Sequence, residues 1–249
     1  GIDMIVLEKG PYRLEHTAIC IGKFDGLHRG HRLLIDGIGS YKHKQNVLFT
    51  FSFPNTASIY SEREKRYLAE QLGIDVYINC PFDHRLSHMS PETFLQEILL
   101  EQCGADVISV GEDFRFGFGR SGDVGLLRAS SERDGFALHV FPKKEMFGEP
   151  VSSTRIRQML AAGEIGKAGE LLGQPYFIYG TVCHGNQIAR EKLDMPTANQ
   201  LLPPGKLLPT FGVYASRVRT KYGDYHGVTN IGRKPSIPGE NASGGNAYF

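Results

Sequence analysis

Apolar and polar positions alternate along the chain in blocks that change period. Ala18 to Ile21 is a short apolar run that breaks at Gly22, and Leu33, Leu34, Ile35 and Ile38 then follow the spacing of one buried helical face. Asn46 to Phe53 is rich in β-formers, Glu62 to Leu72 is charged with a helical pattern, and Ile74 to Ile78 reads as a strand. Ser90-Pro91-Glu92 is a strong helix start, with Ser as cap, Pro at the first position and Glu in the first turn. That helix is expected to run through Phe94, Ile98 and Leu99 to about Gly104. Ala105 to Val110 and Ala137 to Phe141 are two more buried-strand patterns. Strands alternating with helices predict a parallel sheet wrapped by helices, an α/β Rossmann-like domain. In such sheets ligands gather at the carboxyl ends of strands. The chemistry is therefore expected at 22–31, at 52–55, after Gly111 and near residue 152.

The pattern changes after about residue 172. Phe177 to Val182, Val213 to Val218 and Tyr225 to Ile231 read as strands with no clear helix between them, punctuated by Pro203-Pro204-Gly205 and Pro209. The expected organisation is a domain over residues 1–172 and a small β-domain over 173–249, joined by the segment from Gly163 to Gln174. The Gly- and Asn-rich last residues suggest no closing element. Three or four strands are few for a closed barrel, so the β-domain is expected to be cut short.

Composition narrows the possibilities. The chain has 249 residues, 41% hydrophobic and 22% charged, with a net charge of +1. Nothing in that balance suggests a nucleic-acid or membrane surface, so any anion site must be built locally. Cys20, Cys80, Cys103 and Cys183 form no CxxC pair, which makes a zinc site unexpected, and three of them sit beside apolar neighbours and read as small buried side chains of a reducing compartment. The start is not a signal peptide, Gly1 reads as a tag remnant, and a cytoplasmic location is expected.

Four constellations carry candidate chemistry. GKFDGLHRGH (22–31) places a glycine turn between a strand and a helix start, where backbone N–H groups and the helix dipole favour phosphate. His28 and His31, three apart, are expected to share one helical face and address one anion. In VSSTRIRQML (151–160), Ser152 or Ser153 is a natural cap; the hydroxyls of Ser153 and Thr154 with Arg155 or Arg157 make a second phosphate cradle. GEDFRFGFGRSGD (111–123) alternates Phe114, Phe116 and Phe118 with Arg115 and glycines. It is read as a mobile aromatic and cationic lip for a planar ring, with at least one Phe in the core. In Pro196-Thr197-Ala198-Asn199, Thr197 and Asn199 point to one face, where their oxygens suit a metal-bound phosphate. No GxSxG, Walker lysine loop, HExxH or paired-carboxylate pattern appears, which leaves phosphoryl-type transfer without a covalent intermediate.

Taken together these motifs resemble the bacterial bifunctional riboflavin kinase/FAD synthetase family. GKFDGLHRGH is similar to its GxFDGxHxGH, GEDFRFGFGRSGD to GxDFxFGxxRxGD and VSSTRIR to SSTxIR. YGTVCHG, MPTAN, FGVY and GVTNIGRKPS resemble the kinase module's GxVxHG, PTAN, GVY and NIGxRPT. The resemblance implies an HxGH adenylyltransferase that joins ATP and FMN into FAD and pyrophosphate with Mg²⁺, followed by a β-barrel that phosphorylates riboflavin. It implies that His28 and His31 hold ATP phosphates, with Arg157 also catalytic, and that Gly22, Phe24, Asp25 and Gly26 shape the nucleotide pocket. Ser153 and Thr154 would grip phosphates, Asp113 and Phe116 would contact the flavin, and Thr197 and Asn199 would meet Mg-ATP in the kinase module. Three departures stand out. SFPNT (52–56) replaces a DPHP-like segment. HGNQIAREKLDMPTAN has Ala189 for a glycine, Asp194 near a second glycine position and one extra residue. The kinase glutamate region is expected beyond residue 249, so the chain as given is expected to lack riboflavin kinase activity. Alternatives are an HxGH nucleotidyltransferase for another phosphorylated acceptor and a non-catalytic flavin- or nucleotide-binding protein.

Overall fold

Uninterrupted apolar runs become central strands, because a strand covered on both faces has no side to leave wet. In the computed structural model, which describes residues 3–53, 56–183, 199–200, 205–232 and 246–248, six strands form one sheet, buried along its middle and more exposed at its two edges. They are β1 (Ile5–Leu7), β2 (Thr17–Ile21), β3 (Gln45–Ser52), β4 (Val76–Pro81), β5 (Ala105–Gly111) and β6 (Ala137–Phe141), in the order β1-β4-β3-β2-β5-β6. Every pairing is parallel. All five residues of β2 are buried. The strand order reverses at β2, between β3 and β5, so the crevice at their carboxyl ends is the switch point of a doubly wound sheet.

The chain divides into two compact units, Gly1–Thr56 with Lys65–Ser152, and Ala57–Glu64 with Ser153–Phe249. In the first, α1 (Arg29–Gly39) buries Leu34, Ile35 and Ile38. Gly37 lets it lie close to β6: a Cβ there would meet the Phe141 ring at 2.7 Å. Helix α2 (Glu62–Gln71) opens with a reciprocal capping box, Glu64 N–H donating to Ser61 Oγ at 3.2 Å and Ser61 N–H to Glu64 Oε1 at 2.7 Å. It ends where Ile74 N–H bonds Ala69 O at 3.1 Å. For that reason the next strand starts at Val76 rather than at Ile74. After the short α3 (His84–Ser87), α4 runs from Pro91 to Thr93 and continues as a π-helix over Phe94–Gln102; Thr93 N–H donates to Ser90 Oγ at 3.1 Å. Phe94, Leu95, Ile98 and Leu99 pack on Ile19, Ile21, Val47, Phe49, Val76 and Ile78 to form the core. Helix α5 (Val124–Asp134) is capped by Asp123, and the two-residue strands β7 (Glu145–Met146) and β8 (Glu149–Pro150) make a small hairpin.

The second unit holds α6 (Ser153–Ala161) and α7 (Ile165–Leu172), the latter within what the sequence pattern gives as a joining segment. Strands β9 (Val182–Cys183), β10 (Asn199–Gln200), β11 (Gly212–Thr220), β12 (Gly223–Gly232) and β13 (Asn246–Tyr248) form an antiparallel sheet in the order β11-β12-β13-β10-β9. Two expectations change. The Asn-rich tail does supply a strand, β13, between β12 and β10. Phe177 to Val182 is not a strand over its length, because side chains take its backbone groups: Tyr179 N–H donates to Glu64 Oε2 at 2.7 Å, and Phe177 O accepts from Lys206 Nζ at 3.2 Å. Lys206 and Glu64 form a fully buried ion pair at 2.7 Å, with Tyr60 and Tyr176 stacked around the ammonium. Burial pushes the Lys206 ammonium down to about 8, against the pull of Glu64. Among the described residues no helix is long and apolar enough to cross a membrane.

Candidate functional site

The turn after β2 is built from uncommon backbone. Phe24, Gly26 and Leu27 have φ of +51°, +90° and +43°, and Leu27 N–H closes the turn on Phe24 O at 3.2 Å. Positive φ at two bulky residues is costly, and such residues gather where surrounding structure imposes a functional shape. Phe24 and Leu27 are fully buried, which anchors the turn. Gly22 N–H bonds Phe49 O at 3.2 Å, and Thr50 Oγ1 donates to Lys23 O at 3.0 Å, so β3 holds the turn from one side.

His28 is not on the helical face. It is the residue that caps α1: the N–H groups of Gly30 and His31 donate to its Nδ1 at 3.1 and 3.3 Å. The second and third amides of the helix are thus satisfied by the imidazole, and a phosphate there meets histidine N–H rather than free backbone amides. With Nδ1 accepting, the proton of neutral His28 resides on Nε2. The His31 ring stacks on it at 3.6 Å and 16°, with Phe24 edge-on beneath at 5.2 Å. Gly30 is required by this packing, since a Cβ would stand 2.9 Å from His28 Cε1. Burial pushes His28 down to about 4, opposed by Asp25. Burial, then His28 and Lys65, hold His31 well below the usual histidine range. Both rings are neutral hydrogen-bonding groups at pH 7, not resident cations.

The loop after β5 is pinned rather than mobile. Phe116 and Gly122 exchange backbone hydrogen bonds of 3.1 and 2.8 Å, and Phe118 N–H bonds Met89 O at 2.8 Å. Phe116 is buried, stacked on Phe114 and tilted on Phe94; Phe118 is the ring left 56% exposed. Asp113 is exposed and pairs with Lys143 at 3.4 Å.

Ser153 opens α6 with Thr154 and Arg157 behind it, all in the second unit, where Arg157 Nη2 donates to Ala57 O at 2.8 Å. Ser152 precedes the helix. Asn199 begins β10, whereas Thr197, like Pro54 and Asn55 of the altered flavin segment and the changed glycine positions at 189 and 194, lies outside the described residues. The structure therefore groups Gly22, Phe24, Asp25, Gly26, His28 and His31 in one turn. It also adds Lys65 and Thr50, which hold the turn through the Lys23 carbonyl and which the sequence motifs miss. Lys65 sits in the charged run SEREKR and carries no motif signal.

The capped HxGH helix start thus lies at the switch point of a doubly wound parallel sheet, the place where such sheets bind ligands. Residues 11–155 match the FAD synthetase family model, and residues 172–245 the riboflavin kinase model. The bifunctional riboflavin kinase/FMN adenylyltransferase of Haemophilus influenzae is 34% identical over 239 residues, 91% of this chain and 77% of that protein. Its counterpart in Escherichia coli K12 is 35% identical over 240 residues, 90% of this chain and 75% of that protein. The chain belongs to the bifunctional riboflavin kinase/FMN adenylyltransferase family. A crystal structure described as a macrolide-efflux protein from Streptococcus pneumoniae matches with a TM-score of 0.82, covering 98% of this chain and 89% of that one; at 22% identity this likeness speaks to fold alone.

Proposed function

We propose that the chain transfers the adenylyl group of ATP to the phosphate of FMN, giving FAD and pyrophosphate. The stacked, neutral His28–His31 pair at the switch point, in a chain of this family, is the observation that carries the reading. A phosphate monoester loses its second proton near pH ~6, so at neutral pH the acceptor is already a nucleophile and needs no general base. Its oxygen attacks the α-phosphorus of ATP; the bond from that phosphorus to the bridging oxygen breaks, and pyrophosphate leaves with the electron pair. The protein's task is to align the reactants and donate hydrogen bonds to oxygens that gain charge.

His28 and His31 are assigned to the ATP phosphates as N–H donors, and the turn of Gly22, Phe24, Asp25 and Gly26 to the shape of the nucleotide pocket. Ser153, Thr154 and Arg157 supply further phosphate donors. Asp113 and Phe116 are assigned to the flavin. For the kinase module, Thr197 and Asn199 are assigned to Mg-ATP and the reaction to riboflavin phosphorylation. The match boundaries support an adenylyltransferase domain over 1–172 and a kinase-like domain over 173–249. Mg²⁺ neutralises phosphate charge when bound. Among the described residues no group of three or more His, Cys, Asp or Glu could hold a metal, so the ion would enter on the nucleotide. The free, buried Cys20, Cys80 and Cys103 support a cytoplasmic location.

Incubation with Mg²⁺, ATP and FMN, followed by chromatographic detection of FAD and pyrophosphate, tests the reading. FMN bound with no FAD formed would overturn it. Riboflavin in place of FMN reads the kinase reaction separately.

A further inference from the structure

A buried polar cluster supports the histidine turn from inside the first unit. Lys65 on α2 is only 7% exposed. Its Nζ donates to Lys23 O at 3.1 Å and lies 3.4 Å from Thr50 Oγ1, which itself donates to the same carbonyl at 3.0 Å. One turn carbonyl is thus gripped by a helix and a strand together. On the neighbouring strand Asn79 pairs in register with Thr50, so the two side chains share a face, and Asn79 Oδ1 is buried without a hydrogen-bond partner.

His31 Nδ1 is likewise buried without a hydrogen-bond partner. A proton on that nitrogen would be an unsatisfied buried donor, whereas a bare lone pair is attracted to a nearby ammonium. Lys65 is such an ammonium, close enough to act electrostatically on His31. The groups that bear on the ring are His28, with Asp25 beside it, and Lys65.

We infer that Lys65 is a positioning residue for adenylyl transfer, clamping the turn through the Lys23 carbonyl and holding His31 as the Nε2–H tautomer, with its proton ready for a phosphate oxygen. This rests on the adenylyl-transfer reading. The positive pole stays fixed inside the protein, while the imidazole that meets the substrate stays neutral. A neutral donor needs no proton to be lost or gained as the ligand arrives.

The experiment compares wild type with Lys65→Met, Lys65→Arg and Lys65→Gln. Formation of FAD by wild type tests the underlying reading on its own. Long-range ¹H–¹⁵N NMR of wild type at pH 7 should show the Nε2–H tautomer for His31, and an Nδ1–H tautomer would overturn the proposal without any variant. Lys65→Met should lower kcat by about 10-fold or more while KM for FMN moves less than about threefold. The acid limb of its kcat profile should move up by about one pH unit, because a positive charge facing His31 is gone. Lys65→Arg should return kcat to within about threefold of wild type, since it keeps charge and donors. Wild-type kcat with an unmoved acid limb in Lys65→Met, or full recovery by the uncharged Lys65→Gln, would overturn the role of the charge. A fall in kcat with an unchanged His31 tautomer would reduce Lys65 to packing and overturn it as well. If Lys65→Met does not fold, the wild-type tautomer and the Lys65→Gln profile decide the matter.

Discussion

Replacing Gly30 with alanine probes the histidine pair while leaving both rings in the sequence. The new Cβ would stand 2.9 Å from His28 Cε1 and 3.1 Å from Nδ1, so the ring must leave the helix start and give up both amide bonds. Loss of an N-cap costs about 1 kcal/mol, and parting two stacked rings about 0.5–1.5 kcal/mol. Alanine returns about 0.5–1 kcal/mol of helix propensity. The net destabilisation is about 0.5–2 kcal/mol, small against the roughly 5–15 kcal/mol of a folded domain, so the protein stays folded. Turnover is far more sensitive, since a shift of about 1 Å in a positioning group costs on the order of 100-fold. The expected outcome for Gly30→Ala is a melting temperature lower by about 1–8 °C and a kcat/KM for FAD formation lower by about 100-fold. Circular dichroism melts and chromatographic FAD assays measure the two. A double-mutant cycle isolates the cause, because in a His28→Ala background the new methyl has no ring to strike and should stabilise slightly. Retention of kcat/KM within threefold, or equal destabilisation in both backgrounds, would refute the reasoning.

Other outcomes follow from the same geometry. His28 titrates at about 4 in the folded protein because it is buried, below the unfolded value of about 6.5. The unfolded chain therefore binds the extra proton first, and stability is lost as pH falls through that window, by about 3 kcal/mol from His28 alone. Urea unfolding at pH 7 and pH 4 should show this loss shrinking in His28→Asn, and an unchanged loss would contradict it. Glu64→Gln strands a buried ammonium held at 2.7 Å and should destabilise by about 3–5 kcal/mol, whereas Glu64→Met with Lys206→Met removes both charges but recovers only part of that, because Ser61 N–H and Tyr179 N–H lose their acceptor. Thermal melts of the three chains decide between them. Phe116→Ala should cost about 3–5 kcal/mol as a core truncation. Phe118→Ala, at a ring 56% exposed, should leave stability within about 0.5 kcal/mol; equal destabilisation by the two would show that the loop is misassigned.

The sheet was legible in the sequence because its strands are apolar without alternation and its main helices carry clear faces and caps. The Ser90-Pro91-Glu92 start and the Leu33 to Ile38 stripe each appear where their spacing places them. Helix α5 and the three-residue β1 were not legible: α5 has only Leu127 and Ser130 buried, so it shows almost no stripe, and β1 is too short for a period. The HxGH motif marks the site but not the state of its histidines. Whether a ring caps a helix or lines its face depends on where the helix starts, by one residue. The neutrality of the rings comes from burial by Phe24 and the sheet, which no local spacing encodes. Phe177 to Val182 misled for a related reason, since β-prone residues there bind a lysine and a glutamate far away in sequence.

The Lys206–Glu64 pair also bears on how the protein can be made and divided. Its partners stand 142 residues apart, and segment 57–64 is laid into the second unit by hydrogen bonds from Ser58 N–H to Gly205 O and from Leu207 N–H to Ser58 O. During synthesis this segment leaves the ribosome long before the lysine that will cover it. Glu64 must then wait in water, or on its capping box with Ser61, while some 140 residues are added. A fragment that begins at residue 153 carries the cage without its carboxylate, so the second unit is not separable by cutting the chain once. Gene dissection, fusion or circular permutation of this protein has to carry residues 57–64 along with the carboxyl-terminal half.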